Sequence, residues 1–296
     1  MTEETAHTQA PDPEAGEPAP GHWSKLAAQA EVPSMLSFSE YGEGIGNASS
    51  VTRNNIAVAG LDAAVPTCPG WTARDLLVHV GMAQRWASAV LMGGSQRPVE
   101  EALLAGLADY LDPLDWLDEG AVGVLNALVK APAGGDYFFF LKNAPADKRE
   151  AWARRQCHEA TIHGVDAMAA RLGAAPAAGQ VWFKPSLAID GIDELLRGFV
   201  PRRSSPLRTD TAQSLAVVPT DVSAPGGGWT VSFGPDAAST ELGVSADADA
   251  TLSGSAIGLY LGLWNRVGQG GGEYEVTGDR AVAQTFSDRM KVEWIA

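Results

Sequence analysis

Gly173 divides this sequence into two textures. Upstream, apolar residues recur at helical spacing; downstream, short β-branched and aromatic runs are punctuated by Gly and Pro. The clearest upstream helix starts at Thr72, an N-cap with Asp75 three residues on, and carries Leu76, Leu77, His79, Val80, Met82, Ala83, Trp86, Ala87 and Val90 before Gly93-Gly94. The run Val65-Pro66-Thr67-Cys68-Pro69-Gly70-Trp71 ahead of it is a turn by its Pro and Gly content. A first helical region is expected within 33–60, interrupted by Gly42, Gly44 and Gly46. A third lies within 99–131, its second part started by Pro113 and striped by Leu114, Leu117, Val122, Leu125 and Leu128. A fourth runs from Asp147 to Leu172, with Gly173 as its stop. Four helical regions fit an antiparallel four-helix bundle.

After Gly173 the expected class is α+β. Val217–Thr220, Trp229–Phe233 and Glu273–Thr277 have strand character, and Ser253–Arg266 reads as one amphipathic helix. The resulting division is an acidic tail over 1–21, a helical bundle over 22–173, a linker over 174–185 and an α+β domain over 186–296. The tail is rich in Pro, Glu, Ala and Thr, has almost no large apolar side chains, and is expected to be disordered.

Charge narrows the function. The 296 residues carry 21 Lys+Arg against 36 Asp+Glu, a net charge of −15. Five of those acids (Glu3, Glu4, Asp12, Glu14, Glu17) lie in the first 20 residues, but the rest of the chain is acidic too. This balance argues against nucleic-acid binding and against docking on anionic lipid, both of which need clustered Lys and Arg. No apolar stretch approaches the ~20 residues of a membrane span, and the start lacks the apolar core of a secretory signal. Two cysteines, Cys68 and Cys157, make no disulfide framework, and a reducing cytoplasm is expected.

Histidine placement points to chemistry. Of the five, His7 and His22 lie in or beside the tail; His79 falls on the second helix, His158 and His163 on the fourth. Glu159 and His163 are four apart and share a helix face, so one metal ion can take both, and His79 can supply a third ligand from a facing helix. Three N/O ligands with an open position is the pattern of catalytic zinc. His158 lies roughly 140° around the helix from His163 and does not fit the same ion. The H-E-x-x-H spacing of zinc proteases is absent. Asp75, four before His79, and Asp166, three after His163, could orient the imidazoles, and Arg155, four before Glu159, could hold its carboxylate. The plainer alternatives are packed histidines, a capping Asp75, and surface ion pairs for Asp166 and Arg155. Cys68 and Cys157 have no base at a telling spacing and read as structural thiols. Arg266, at the expected end of the C-terminal helix, either complements its dipole or binds an anionic substrate.

These residues carry a resemblance. Val65-Pro66-Thr67-Cys68-Pro69-Gly70-Trp71 through Asp75, Leu76, Leu77 and His79 resembles one signature of the mycothiol-dependent maleylpyruvate isomerase family. Trp152-Ala153-Arg154-Arg155, then His158-Glu159, His163 and Asp166, resembles a second. Leu252-Ser253-Gly254-Ser255 and Leu263-Trp264-Asn265-Arg266 are similar, more loosely, to its C-terminal domain. The resemblance spans about 33–296. It implies a DinB-like bundle holding a divalent ion, usually Zn2+, on His79, Glu159 and His163, and a C-terminal domain similar to the sterol-carrier fold. It also implies mycothiol, the cysteine-containing small thiol of actinobacteria, as co-substrate, with Arg266 as a substrate contact and no nucleophile from the protein. Two places depart from the pattern. Gly164 stands where the family often has Arg, and the segment 134–150 includes the aromatic run Tyr137-Phe138-Phe139-Phe140, which is core or the lining of a different pocket.

The chemistry this implies is a thiol activated by the ion and added to a small electrophile, ending in cis–trans isomerisation or S-transfer. The alternatives are hydrolysis by metal-activated water and a non-catalytic binding protein stapled by the ion. Small molecules, not nucleic acid or membrane, are the expected partners.

Overall fold

The computed structural model describes residues 36–93, 100–104, 106–267 and 271–291. The tail expected over 1–21, with His7 and His22, lies outside the described residues.

Four long helices form the N-terminal region: α1 (Phe38–Ala59), α2 (Ala73–Leu91), α3 (Pro113–Lys130) and α4 (Lys148–Leu172). α1 packs along α4 and α2 along α3. The three glycines do not interrupt α1. Ser37 and Glu40 close a capping box at its start, and Tyr41, Ile45, Ala48, Thr52 and Ile56 bury one stripe. Gly42 and Gly46 face open space, while a Cβ at Gly44 would sit 2.4 Å from Cys157 Sγ. The glycine there sets how closely α1 approaches α4.

Thr72 and Asp75 form the expected capping box of α2. Asp112 caps α3 with Pro113 at its first position; on that helix Val122 is exposed and Ala121 and Val124 are buried instead. Asp147 caps α4, and Gly173, at φ 71°, ends it. α4 is buried on nearly every side despite its many polar residues. Of those polar residues, Arg154, Arg155, His158, Glu159 and Asp166 meet groups on neighbouring elements.

The region between the bundle and the first strand is more structured than a linker followed by strands. Pro185 opens a helix, α5 (Pro185–Asp193), which continues as a π turn over Glu194–Phe199. Among the described residues, a five-stranded sheet follows: β1 (Gln213–Pro219), β2 (Trp229–Phe233), β3 (Ser239–Leu242), β4 (Ala250–Gly254) and β5 (Tyr274–Gly278), in the order β3-β2-β1-β4-β5. β1 and β4 pair in parallel, Val217 opposite Leu252; the other pairings are antiparallel. β3 and β4 carry no marked alternation in the sequence, and the expected helix over Ser253–Arg266 is correspondingly shorter. Leu252–Gly254 belong to β4, and α6 is Ala256–Leu263, capped by Ser255. α7 (Arg280–Arg289) closes the described chain.

α5 lies between sheet and bundle. Trp229 Nε1 of β2 donates to Asp193 Oδ1 at 2.9 Å, and Thr240 of β3 donates to the Leu196 carbonyl at 2.6 Å. On its other side α5 meets α4: Arg154 donates to Asp190 and Asp193, and His158 lies 2.7 Å from Asp190. Of the aromatic run, Phe139 and Phe140 are packed while Phe138 is exposed. Phe139 and Phe140 stand against Trp152, Phe140 also stacks on Trp86, and Trp152 Nε1 donates to the Phe138 carbonyl.

Candidate metal centre

Helical spacing and one turn build the site. On α4, Glu159 and His163 project from successive turns of one face; on α2, His79 faces them. His79 Nε2 and His163 Nε2 lie 3.1 Å and 3.3 Å from the same carboxylate oxygen, Glu159 Oε1. One ligand atom from each residue falls within 4.8 Å of the others. The two imidazole rings stand edge to face with centroids 4.6 Å apart. Both histidines are buried, and Glu159 keeps partial exposure.

The surroundings orient each group. Asp166, fully buried, takes a hydrogen bond from His163 Nδ1 at 2.8 Å, so Nδ1 carries the proton and the Nε2 lone pair faces Glu159 and His79. Thr67 Oγ1 donates to Asp166 at 2.6 Å, and Arg266 donates to both its oxygens at 3.0 and 2.9 Å. Arg155 Nη2 donates to Glu159 Oε2 at 2.9 Å, leaving Oε1 to the imidazoles. Trp71, at the end of the Pro–Gly turn, covers the pair: its ring stands 5.0 Å from His79 and stacks 6.4 Å from His163.

The ionisation balance suits a cation. Burial would raise the Glu159 pKa, but His163, His79 and Arg155 outweigh it and hold the carboxyl well below its usual range. Burial lowers the His79 pKa, which favours the neutral, ligating imidazole. His163 is also desolvated, yet Glu159 and Asp166 outweigh that and raise its pKa. Burial opposes ionisation of Asp166 too, but Arg266 and His163 keep it ionised far below the usual carboxylate range. Once an ion displaces the His163 proton, two neutral imidazoles and a carboxylate are a donor set for zinc-like divalent ions, and the residues present fit one.

The sequence-derived residues sort as follows. His79, Glu159, His163, Arg155, Asp166 and Arg266 come together. Asp75 does not orient His79: its carboxylate is held by the backbone N–H and hydroxyl of Thr72, at 2.8 and 2.7 Å. Asp166 and Arg155 are buried members of the site rather than surface pairs. Arg266 follows the end of α6 by three residues and donates to Asp166, to the Trp264 carbonyl and to Cys68 Sγ at 3.5 Å, so it braces His163 through Asp166. His158 turns away to Asp190. At Gly164, a Cβ would lie 2.5 Å from the Trp182 ring, so Trp182 fills the space an arginine side chain would need. Thr67, Trp71 and Glu194 went unassigned in the sequence; the compact turn before α2 was the available signal for the first two.

Against known families, residues 46–168 match the model of the mycothiol maleylpyruvate isomerase N-terminal domain, and residues 186–285 match that of the corresponding C-terminal domain. No curated protein matches the chain in sequence. Among solved structures, a mycothiol-dependent maleylpyruvate isomerase is similar at a TM-score of 0.52 and 14% identity, over 82% of this chain and 96% of that one. A histidine-to-alanine mutant of a mycothiol-dependent maleylpyruvate isomerase matches with TM-score 0.50 and 15% identity over the same shares. At such identities the structures establish a common fold, and the two domain matches in order establish descent. The chain belongs to the mycothiol-dependent maleylpyruvate isomerase family of enzymes.

Proposed function

We propose that this chain is a mycothiol-dependent enzyme that adds the small thiol to an electrophilic carbon of a second substrate, with a divalent ion, Zn2+ foremost, held by His79, Glu159 and His163. The observation that carries the proposal is the convergence of two imidazole nitrogens, from two helices, on one Glu159 oxygen. An ion bound there supplies acidity, making a ligating thiol a thiolate at neutral pH. The chain's own side chains set the stage. Asp166 and Arg266 fix the His163 tautomer, Arg155 holds Glu159, and Trp71 shields the imidazoles from water on one side.

The protein's own thiols do not fit the nucleophile's role. Burial and the neighbouring Asp166 push the Cys68 thiol up to about 12, with Arg266 only partly opposing them. Burial pushes Cys157 up as well. The reactive sulfur therefore comes from the small thiol. Addition forms a carbon–sulfur bond and moves the π electrons onto the electrophile. Rotation followed by loss of the same thiol gives isomerisation; loss of another group gives S-transfer.

The test measures zinc content and turnover of a panel of electrophiles, maleylpyruvate included, with and without mycothiol. Wild type is expected to hold one ion and to need the thiol, and His79→Ala to lose both ion and turnover. Turnover without thiol would support metal-activated water instead, and full activity in metal-free His79→Ala would refute the metal site. Among the described residues no helix is long and apolar enough to cross a membrane.

A further inference from the structure

We infer that Glu194, in the π turn of α5, is a positioning residue for the ligand carboxylate of Glu159, acting through Arg155; this rests on the metal-site reading above. Arg155 bridges two carboxylates from different elements. Nη2 donates to Glu159 Oε2 at 2.9 Å, and Nη1 donates to Glu194 Oε2 in a very short contact. The guanidinium is 3% exposed and is walled by the rings of Phe199 and Trp264, 5.2 and 5.5 Å from their centroids. Glu194 is equally buried, and its second oxygen, Oε1, has no hydrogen-bond partner. Its buried charge therefore has one bonded recipient, and that recipient also holds the ligand.

Charge shows what the bridge does. Arg155 with Glu159 alone would be a neutral pair; Glu194 leaves the trio with one net negative charge beside the two imidazoles. It also shares the pull of the guanidinium. Without it, the whole charge of Arg155 would draw on Glu159, withdrawing density and tilting the carboxylate from the point where Oε1 meets His79 and His163.

The fold supports this assignment. Asp190, Asp193 and Glu194 are spaced i, i+3, i+4 and share the face of α5 that meets Arg154 and Arg155. Trp229 of β2 fixes Asp193, the residue before Glu194. The backbone changes from α to π geometry at Glu194, a local departure often found at functional sites. The C-terminal region thereby reaches the ligand in three bonded steps, Trp229 to the Asp193–Glu194 segment, Glu194 to Arg155, and Arg155 to Glu159.

The test uses full-length Glu194→Gln and Glu194→Asp, with Zn2+ affinity read by competition with a chromophoric chelator and geometry by the visible spectrum of the Co2+ form. Glu194→Gln is expected to weaken Zn2+ binding about 10- to 100-fold, the range for lost partners of metal ligands, and to alter the Co2+ bands. Glu194→Asp keeps the charge and is expected to lose only a few-fold. Adding Glu194→Gln to Arg155→Gln is expected to cost nothing further, since the effect passes through the guanidinium. A folded Glu194→Gln variant with wild-type Zn2+ affinity and Co2+ spectrum, even with a lowered melting temperature, overturns the proposal, as do losses in Glu194→Asp as large as those in Glu194→Gln, or losses that simply multiply in the double variant. Wild-type Zn2+ binding no tighter than that of His79→Ala overturns the metal reading, and the inference with it.

Discussion

Asp166 is the single side chain on which most of the site depends. It accepts from His163, Thr67 and Arg266 while fully buried. Asp166→Asn is expected to lower metal affinity by about tenfold or more, by loosening the His163 tautomer. It also leaves the part-buried Arg266 without its carboxylate, at a stability cost of about 1–3 kcal/mol; chelator competition and denaturant melts read the two effects separately. His163 gives the pH dependence. Its folded pKa is raised, so in the metal-free protein its stabilising charge is present below its unfolded value near ~6.5 and is lost as pH rises through the folded one. An ion must displace that proton, so metal affinity should climb with pH across that window; a flat affinity between about pH 6 and 8 contradicts it. The pairing of Glu159 with His163 was legible because helix periodicity fixes which residues share a face. The place of His79 opposite that pair and of Arg266 at Asp166 was not. Spacing places Asp75 on the face of His79, but the capping box with Thr72, itself a pattern of residues three apart, takes its Oδ2.

At the scale of elements, helix ends and glycines are the informative features. Thr72 caps α2, the helix that carries His79, and Thr72→Ala should cost about 1 kcal/mol in a chemical melt. Gly44 stands where α1 crosses Cys157; with a Cβ placed 2.4 Å from Sγ, Gly44→Val should destabilise by about 1–3 kcal/mol through overpacking, while Gly46→Ala, facing open space, should not. Caps read well from sequence because they are chemistry between residues three apart: the starts of α2 and α3 and the end of α4 fell where Thr72, Pro113 and Gly173 put them. α1 read poorly because its glycines look like breaks until α4 is seen against Gly44. β3 and β4 read poorly for a related reason. β4 is flanked on both sides by strands, β1 in parallel and β5 antiparallel, and its pairing rather than its five residues makes it a strand.

At the scale of the whole molecule, buried charge joins elements beside the apolar core. Arg154, His158 and Tyr41 converge on Asp190 between α1, α4 and α5. Burial would raise the Asp190 pKa, but Arg154 and the His158 and Tyr41 hydrogen bonds hold it well below the carboxylate range. The sign follows: its stabilisation is present above the unfolded carboxylate value near ~3.9 and is lost as pH falls toward the depressed folded one. Unfolding by acid, followed by circular dichroism, should therefore steepen below about pH 4, and Asp190→Asn should remove part of that slope while lowering stability at neutral pH.

The sequence by itself determined what is local: the helices α2, α3 and α4 with the ends marked by Thr72, Pro113 and Gly173, the turn that carries Trp71, and the i,i+4 pair that puts Glu159 and His163 on one face. Those follow from backbone geometry and near-neighbour chemistry. Only the tertiary structure decided the neighbours of those groups: His79 across from Glu159, Arg266 brought 100 residues along the chain to Asp166, and Glu194 brought to Arg155. Such contacts depend on how helices and sheet close on one another, and a buried charge takes the partner that packing brings within hydrogen-bond reach.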